Sequence, residues 1–170
     1  MKKIIVLLSF VCAVLLGNEF ETAAKAYEAG DYQKAYKYSK IACDNGEYLG
    51  CAILGDLYYN GQGVRQNYKE AFKYIKLACD NGWYSGFHNL GFLYESGQGV
   101  RQNYTEAFKY YKLACDNGEY KSCYNIGILY HNGQGVRQSD SMAKEYYGRA
   151  CDLGDQKGCD AFADLNQKGY

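Results

Sequence analysis

The segment GQGVRQ stands at Gly61, Gly97 and Gly133, so a 36-residue period runs through the chain without a gap. No other feature narrows the fold as much. A second block, ACDNG, keeps the same step at Ala42, Ala78 and Ala114 and returns as ACDLG at Ala150. A fixed period between roughly 20 and 50 residues marks a stacked array, in which each unit buries its apolar face only against its neighbours.

Each unit reads as two helices. From Asn67 to Cys79 the apolar residues fall at Tyr68, Ala71, Phe72, Ile75, Ala78 and Cys79, with Lys69, Glu70, Lys73 and Lys76 between them. That spacing makes one apolar and one wet helical face. Asn67 with Glu70, and Asn103 with Glu106, offer an N-cap and its capping-box partner, while Gly82 and Gly118 supply left-handed stops. The next helices are expected from Tyr48 to Tyr59, Tyr84 to Glu95 and Tyr120 to His131. Their shared pattern is LGxLY or IGxLY, with Gly55, Gly91 and Gly127 inside the helix. Glycine there costs about 1 kcal/mol against alanine, so its return asks for a close approach between the helices of a pair. GQGV then makes the loop to the following helix. It is no nucleotide loop, because no strand precedes it and GxGxxG is incomplete.

The chain opens MKKIIVLLSFVCAVLLGNEF, with two lysines, an apolar run from Ile4 to Leu16, then small and polar residues. This is the pattern of a secretory signal peptide, and the run is too short for a permanent membrane span. Cleavage is expected near Gly17, with Ala13 as the alternative, and no stable membrane insertion follows. Losing Lys2 and Lys3 leaves 17 basic residues against 19 acidic ones. A slightly negative mature chain argues against nucleic acid as a partner. At the other end CDAFADLNQ keeps Phe162 and Leu165 but places Asp160, Asp164 and Gln167 elsewhere, the polar outer face a terminal repeat needs.

The pattern GxGVxxxxxxAxxYxxACxxGxxxxCxxLGxLY resembles the Sel-one-like repeat (SLR), a relative of the tetratricopeptide repeat, and in particular the cysteine-rich secreted SLR proteins of the Hcp type. The likeness extends over almost all of residues 18–170. It implies an all-α fold, a right-handed α/α solenoid superhelix of antiparallel helix pairs. The expected organisation is a signal peptide over 1–17 and one SLR solenoid over 18–170. Its repeats would fall at about 18–46, tetratricopeptide-like, then 47–82, 83–118 and 119–154, with a capping helix over 155–170. The resemblance further implies a scaffold or binding role, with the first helix of each SLR on the concave side.

Cys43 and Cys51, Cys115 and Cys123, and Cys151 and Cys159 are each eight apart. Eight residues along one helix would separate them by about 12 Å, beyond disulfide reach, so each pair must close across the DNG turn. Export favours disulfides, each contributing roughly 2.5 kcal/mol by the loop-entropy argument. Buried thiols or a metal site are the alternatives, and a metal lacks further converging ligands, so no metal or cofactor is expected. Cys79 has Phe87 where its partner belongs and is expected as a free thiol, packed near Phe87 or available for reaction.

On the tetratricopeptide-like assumption, the groove face holds the positions at which the copies differ. The candidate ligand residues are Asp56, Tyr59, His88, Asn89, Phe92, Glu95, Lys121, Tyr124, Asn125 and His131. Asn89 and Asn125 suit hydrogen bonding to an extended peptide, and the aromatic residues supply contact area. Freely drifting surface residues are the alternative. The repeated tyrosines at 58, 94 and 130 and at 38, 74, 110 and 146 read as core. Partners would be a peptide, a host protein or a cell-wall component.

The family is also commonly classed as beta-lactamase, which implies penicillin binding and slow hydrolysis. Ser141-Met142-Ala143-Lys144 does read SxxK, the spacing of a nucleophilic serine and a lysine base. SDN and KTG are missing, and Ala143 aligns with Ala107 and Ala71, so the stretch doubles as an ordinary repeat helix. Two expectations follow: a secreted or periplasmic recognition module binding a peptide or peptidoglycan-like ligand, or a slow hydrolase of beta-lactams.

Overall fold

The structure, a computed structural model, describes residues 19–170. The signal peptide expected over 1–17 lies outside them. All regular elements among the described residues are helical. They are α1 (19–28), α2 (Tyr32–Asp44), α3 (Tyr48–Asn60), α4 (Tyr68–Asp80), α5 (Phe87–Ser96), α6 (Tyr104–Asp116), α7 (Tyr120–Asn132), α8 (Asp140–Asp152) and α9 (Gln156–Gln167). The described residues form two compact units, divided between Trp83 and Tyr84. In the first, α3 packs against α2 and α4; in the second, α5, α6, α7 and α8 each pack on the helix that follows.

Short, tightly bonded corners reverse the chain. At the DNG corners the N–H of Glu47 donates to the Ala42 carbonyl, Glu119 to Ala114 and Asp155 to Ala150, at 2.9, 3.0 and 2.9 Å. The turn glycines Gly46, Gly118 and Gly154 have φ of +86, +89 and +96°, which a side chain would strain. Disulfides Cys43–Cys51, Cys115–Cys123 and Cys151–Cys159 close over these corners, with Cα separations of 4.7, 4.8 and 4.5 Å.

The GQGVRQN corners are built differently. The N–H of Asn67 donates to the Tyr58 carbonyl, Asn103 to Tyr94 and Ser139 to Tyr130, each at 2.9 Å. The glutamine ending the motif adds a second tie, Gln66, Gln102 and Gln138 donating Nε2 to the carbonyls of Tyr59, Glu95 and His131 at 2.9, 2.7 and 2.8 Å. These bonds correct the capping-box expectation. Asn67 does accept from the N–H groups of Lys69 and Glu70, but its own N–H is already engaged. Glu70 therefore turns to Lys73 at 3.5 Å, and Glu106 to Lys109 at 3.6 Å.

The helix glycines do permit close approach, but toward the helix that follows the GQGV corner. A Cβ on Gly55 would lie 2.6 Å from Ile75 Cγ1, on Gly91 2.5 Å from the Tyr111 ring, and on Gly127 2.4 Å from the Tyr147 ring. The DNG-linked neighbour makes its contact elsewhere, where a Cβ on Gly50 would meet Ala42 Cβ at 2.6 Å and one on Gly158 would meet Ala150 Cβ at 2.7 Å. Bulky knobs thus fill glycine holes, and Ile75 and Tyr111 are fully buried. Beside each knob a tyrosine pair stacks: Tyr58 with Tyr74, Tyr94 with Tyr110 and Tyr130 with Tyr146, ring centroids 5.6 to 5.8 Å apart. Tyr110 and Tyr146 are buried, whereas Tyr38, Tyr58, Tyr74, Tyr94 and Tyr130 keep part of their surface in solvent.

The second copy departs from its siblings. The α-helix expected from Tyr84 begins at Phe87, and Tyr84–Gly86 form a 3-10 turn. Trp83 stands where Glu119 and Asp155 cap their helices with a carboxylate, so no side chain holds the first α-turn here. Phe87 replaces the cysteine and is buried, its ring 5.7 Å from Tyr84 and 6.1 Å from Tyr110. Among the described residues Cys79 is the cysteine left free.

Gly91→Ala tests the glycine hole. In an open helix the change would stabilise by about 1 kcal/mol. Here it should destabilise by about 1–3 kcal/mol, because Tyr111 must leave its rotamer, and chemical unfolding of the oxidised protein reads the sign directly.

Candidate functional site

The α7 stretch that begins at the DNG corner places Tyr120, Lys121, Tyr124 and Asn125 on one side of the helix, the spacing of one turn and the next. Together with His88 from α5 and with Asp155 and Lys157 from the start of α9, they line an open cleft of about 390 Å³. Four of the residues expected in a groove, His88, Lys121, Tyr124 and Asn125, therefore meet in one cavity of the second unit.

Each is held differently. His88 Nδ1 lies 2.7 Å from Ser122 Oγ, and its ring is 5.6 Å from that of Tyr111. Burial pulls the His88 imidazole below its ordinary pKa, so the neutral ring dominates at neutral pH. Ser122 is fully buried, so this bond anchors the imidazole. Tyr124 rests its ring 5.3 Å from Tyr147 and is half-buried. Lys121 is exposed, its Nζ 5.7 Å from the Tyr120 ring centroid. Asp155 is occupied in part by capping α9, accepting from the Gly158 N–H at 3.0 Å. The Asn125 amide, by contrast, has no protein partner among the described residues. Two lysines against one aspartate give this cleft a positive lining.

The remaining candidates lie elsewhere. Glu95 Oε2 accepts from the Tyr111 hydroxyl at 2.5 Å, and His131 Nδ1 lies 2.5 Å from Asp140 Oδ1. Both bonds strap neighbouring helices, and no hydrogen bond joins Glu95 to His131. Asn89 is half-buried and Phe92 is exposed on α5, outside the cleft. In the first unit Tyr59 sets its ring edge-on to Tyr68, with centroids 5.5 Å apart. Asp56 is half-buried on α3, and burial raises its carboxyl to about 6. Burial likewise pushes the Cys79 thiol up to about 12, which suppresses the reactive thiolate.

Ser141 and Lys144 both sit in α8 but are not joined. Ser141 is exposed, while Lys144 Nζ donates to Asn166 Oδ1 at 2.7 Å and to the Tyr170 carbonyl. Among the described residues no cluster of histidine, cysteine and carboxylate side chains has metal-binding geometry. No helix among them is long and apolar enough to cross a membrane. Asp155 and Lys157 escaped the sequence reading because they belong to the divergent last corner, where ACDLGDQ replaces ACDNGEY.

Asp56 generates a pH-dependent prediction. The folded chain holds its proton more tightly than the unfolded chain, where the value is 3.8. Its contribution to stability is therefore fully present below about pH 4 and is lost as pH rises through 6. Asp56→Asn should stabilise the protein by about 1–2 kcal/mol at pH 7 and by little at pH 3.5, read from urea unfolding at both pH values.

Comparison with known proteins agrees with this architecture. A 43-residue stretch is 54% identical to HcpE of Helicobacter pylori, covering 25% of this chain and 12% of that protein, whose name gives it a provisional beta-lactamase assignment. A protective antigen of uropathogenic Escherichia coli, described as having an SLR fold, superimposes with a TM-score of 0.85 at 29% identity, over 91% of this chain and 34% of that one. The cysteine-rich protein B of Helicobacter pylori matches at 31% identity with a TM-score of 0.58, over 76% of this chain and 92% of that one. Residues 15–47, 49–83, 88–119 and 121–155 each match the Sel1 repeat, and with four repeats over most of its length the chain belongs to the Sel1 repeat family.

Proposed function

We propose that this protein is an exported, disulfide-stapled SLR module that recognises a peptide or peptidoglycan-like ligand. The observation that carries this reading is the cleft at His88, Lys121, Tyr124 and Asn125, whose residues vary between otherwise near-identical repeats. Asn125 offers an unspent amide donor and acceptor, Tyr124 an aromatic wall, and Lys121 and Lys157 charges for a ligand carboxylate. A rigid scaffold presenting such a surface lowers the ordering cost of binding. The disulfides at the DNG corners support an oxidising location outside the cytoplasm.

Support for recognition over hydrolysis comes from α8. With Lys144 engaged by the C-terminal residues, Ser141 lacks the base that an SxxK nucleophile requires. The beta-lactamase naming of a relative rests on another chain and does not supply that base.

The test is a peptide array and a fluorescent muropeptide titration on the oxidised protein, beside Lys121→Ala/Asn125→Ala. The double variant should lose at least about tenfold in affinity while keeping its thermal midpoint. Nitrocefin turnover abolished by Ser141→Ala would overturn the reading in favour of a serine hydrolase.

A further inference from the structure

The first unit carries a cleft of opposite chemistry. Two adjoining hollows, of about 410 and 240 Å³, share Phe20 from α1, Leu49 from α3 and Trp83 after α4. Tyr48 extends the aromatic wall on one side and Tyr27 on the other. Tyr48 is 40% exposed. The charged residues in the lining are Glu47 in one hollow and Glu28 in the other, and no lysine, arginine or histidine joins them. Neither glutamate is in an ion pair among the described residues, whereas in the same unit Lys40 pairs with Asp44 and Lys76 with Asp80.

Aromatic faces attract cations through the ring quadrupole, and a flanking carboxylate adds direct Coulomb attraction. An apolar wall suits the methylene stem of such a group, whose charged head stays near solvent. We propose that this cleft holds a basic side chain, lysyl or arginyl, of a bound peptide. This rests on the reading of the protein as a peptide-recognition module and assigns the chemistry of its first unit. Charge complementarity decides the occupant. A purely apolar group would leave Glu28 and Glu47 unanswered, and an acidic one would be repelled.

Trp83 is the single tryptophan of the chain, so its emission reports on this cleft alone. The oxidised protein would be titrated with three blocked peptides, Gly-Lys-Gly and the same peptide with norleucine or glutamate in the centre. The lysine peptide should shift Trp83 emission saturably, bind about tenfold more tightly than the norleucine peptide, and weaken as salt is raised. Glu28→Gln/Glu47→Gln should bring lysine down to the norleucine level without changing the thermal midpoint. Equal or tighter binding of norleucine, or no saturable response to lysine, would overturn the proposal. The two readings fail separately. Array binding that depends on Lys121 and Asn125, with no lysine response at Trp83, defeats this inference alone. A lysine-selective response with an empty array defeats the assignment of the second cleft.

Discussion

Everything in this fold depends on how closely two helices can lie across the GQGV corner. At Gly55, Gly91 and Gly127 the helix before the corner offers no side chain, and a branched or aromatic residue from the next helix occupies the space. Replacing such a hole with a methyl group would force contacts near 2.5 Å, far inside van der Waals distance. The corner bonds from Asn67, Asn103 and Ser139 then hold the two helices in that register. On the opposite flank the disulfides tie three of the DNG corners, so α3 and α7 are held from both sides.

This double restraint explains why the copies are so alike and where they are free to differ. Positions that fill a glycine hole stay bulky, and those that stack a tyrosine or close a corner keep the same ring or bond. Leu49, Ser85 and Lys121 occupy equivalent places at the mouth of a cleft and meet none of these demands. Within each unit the scaffold therefore presents a recess whose lining can change without disturbing the stack. In the first unit it is aromatic and acidic; in the second it is polar and basic.

The architecture was legible because it repeats. The helix pairs, the corner residues and the cysteine spacing each recur on one period, and every recurrence restates the same local requirement. The candidate site was legible only in part. His88, Lys121, Tyr124 and Asn125 could be singled out by their variation, yet nothing in their spacing distinguished them from Glu95 and His131, which bond to Tyr111 and Asp140 instead. Asp155 and Lys157 reach the cleft from a different helix, so no local pattern links them to it.

By itself the sequence determined the periodic elements, helices, corners and cysteine pairs, all set by interactions within about one repeat; which helix fills each glycine hole it did not. Tertiary structure alone decided which side chain meets which across helices. It engaged the Asn67 N–H with the Tyr58 carbonyl across the corner, buried Tyr111 and Tyr147 as knobs, and drew Lys144 from Ser141 to Asn166 on α9. Those outcomes depend on the distance between packed helices, a quantity that no single helix carries.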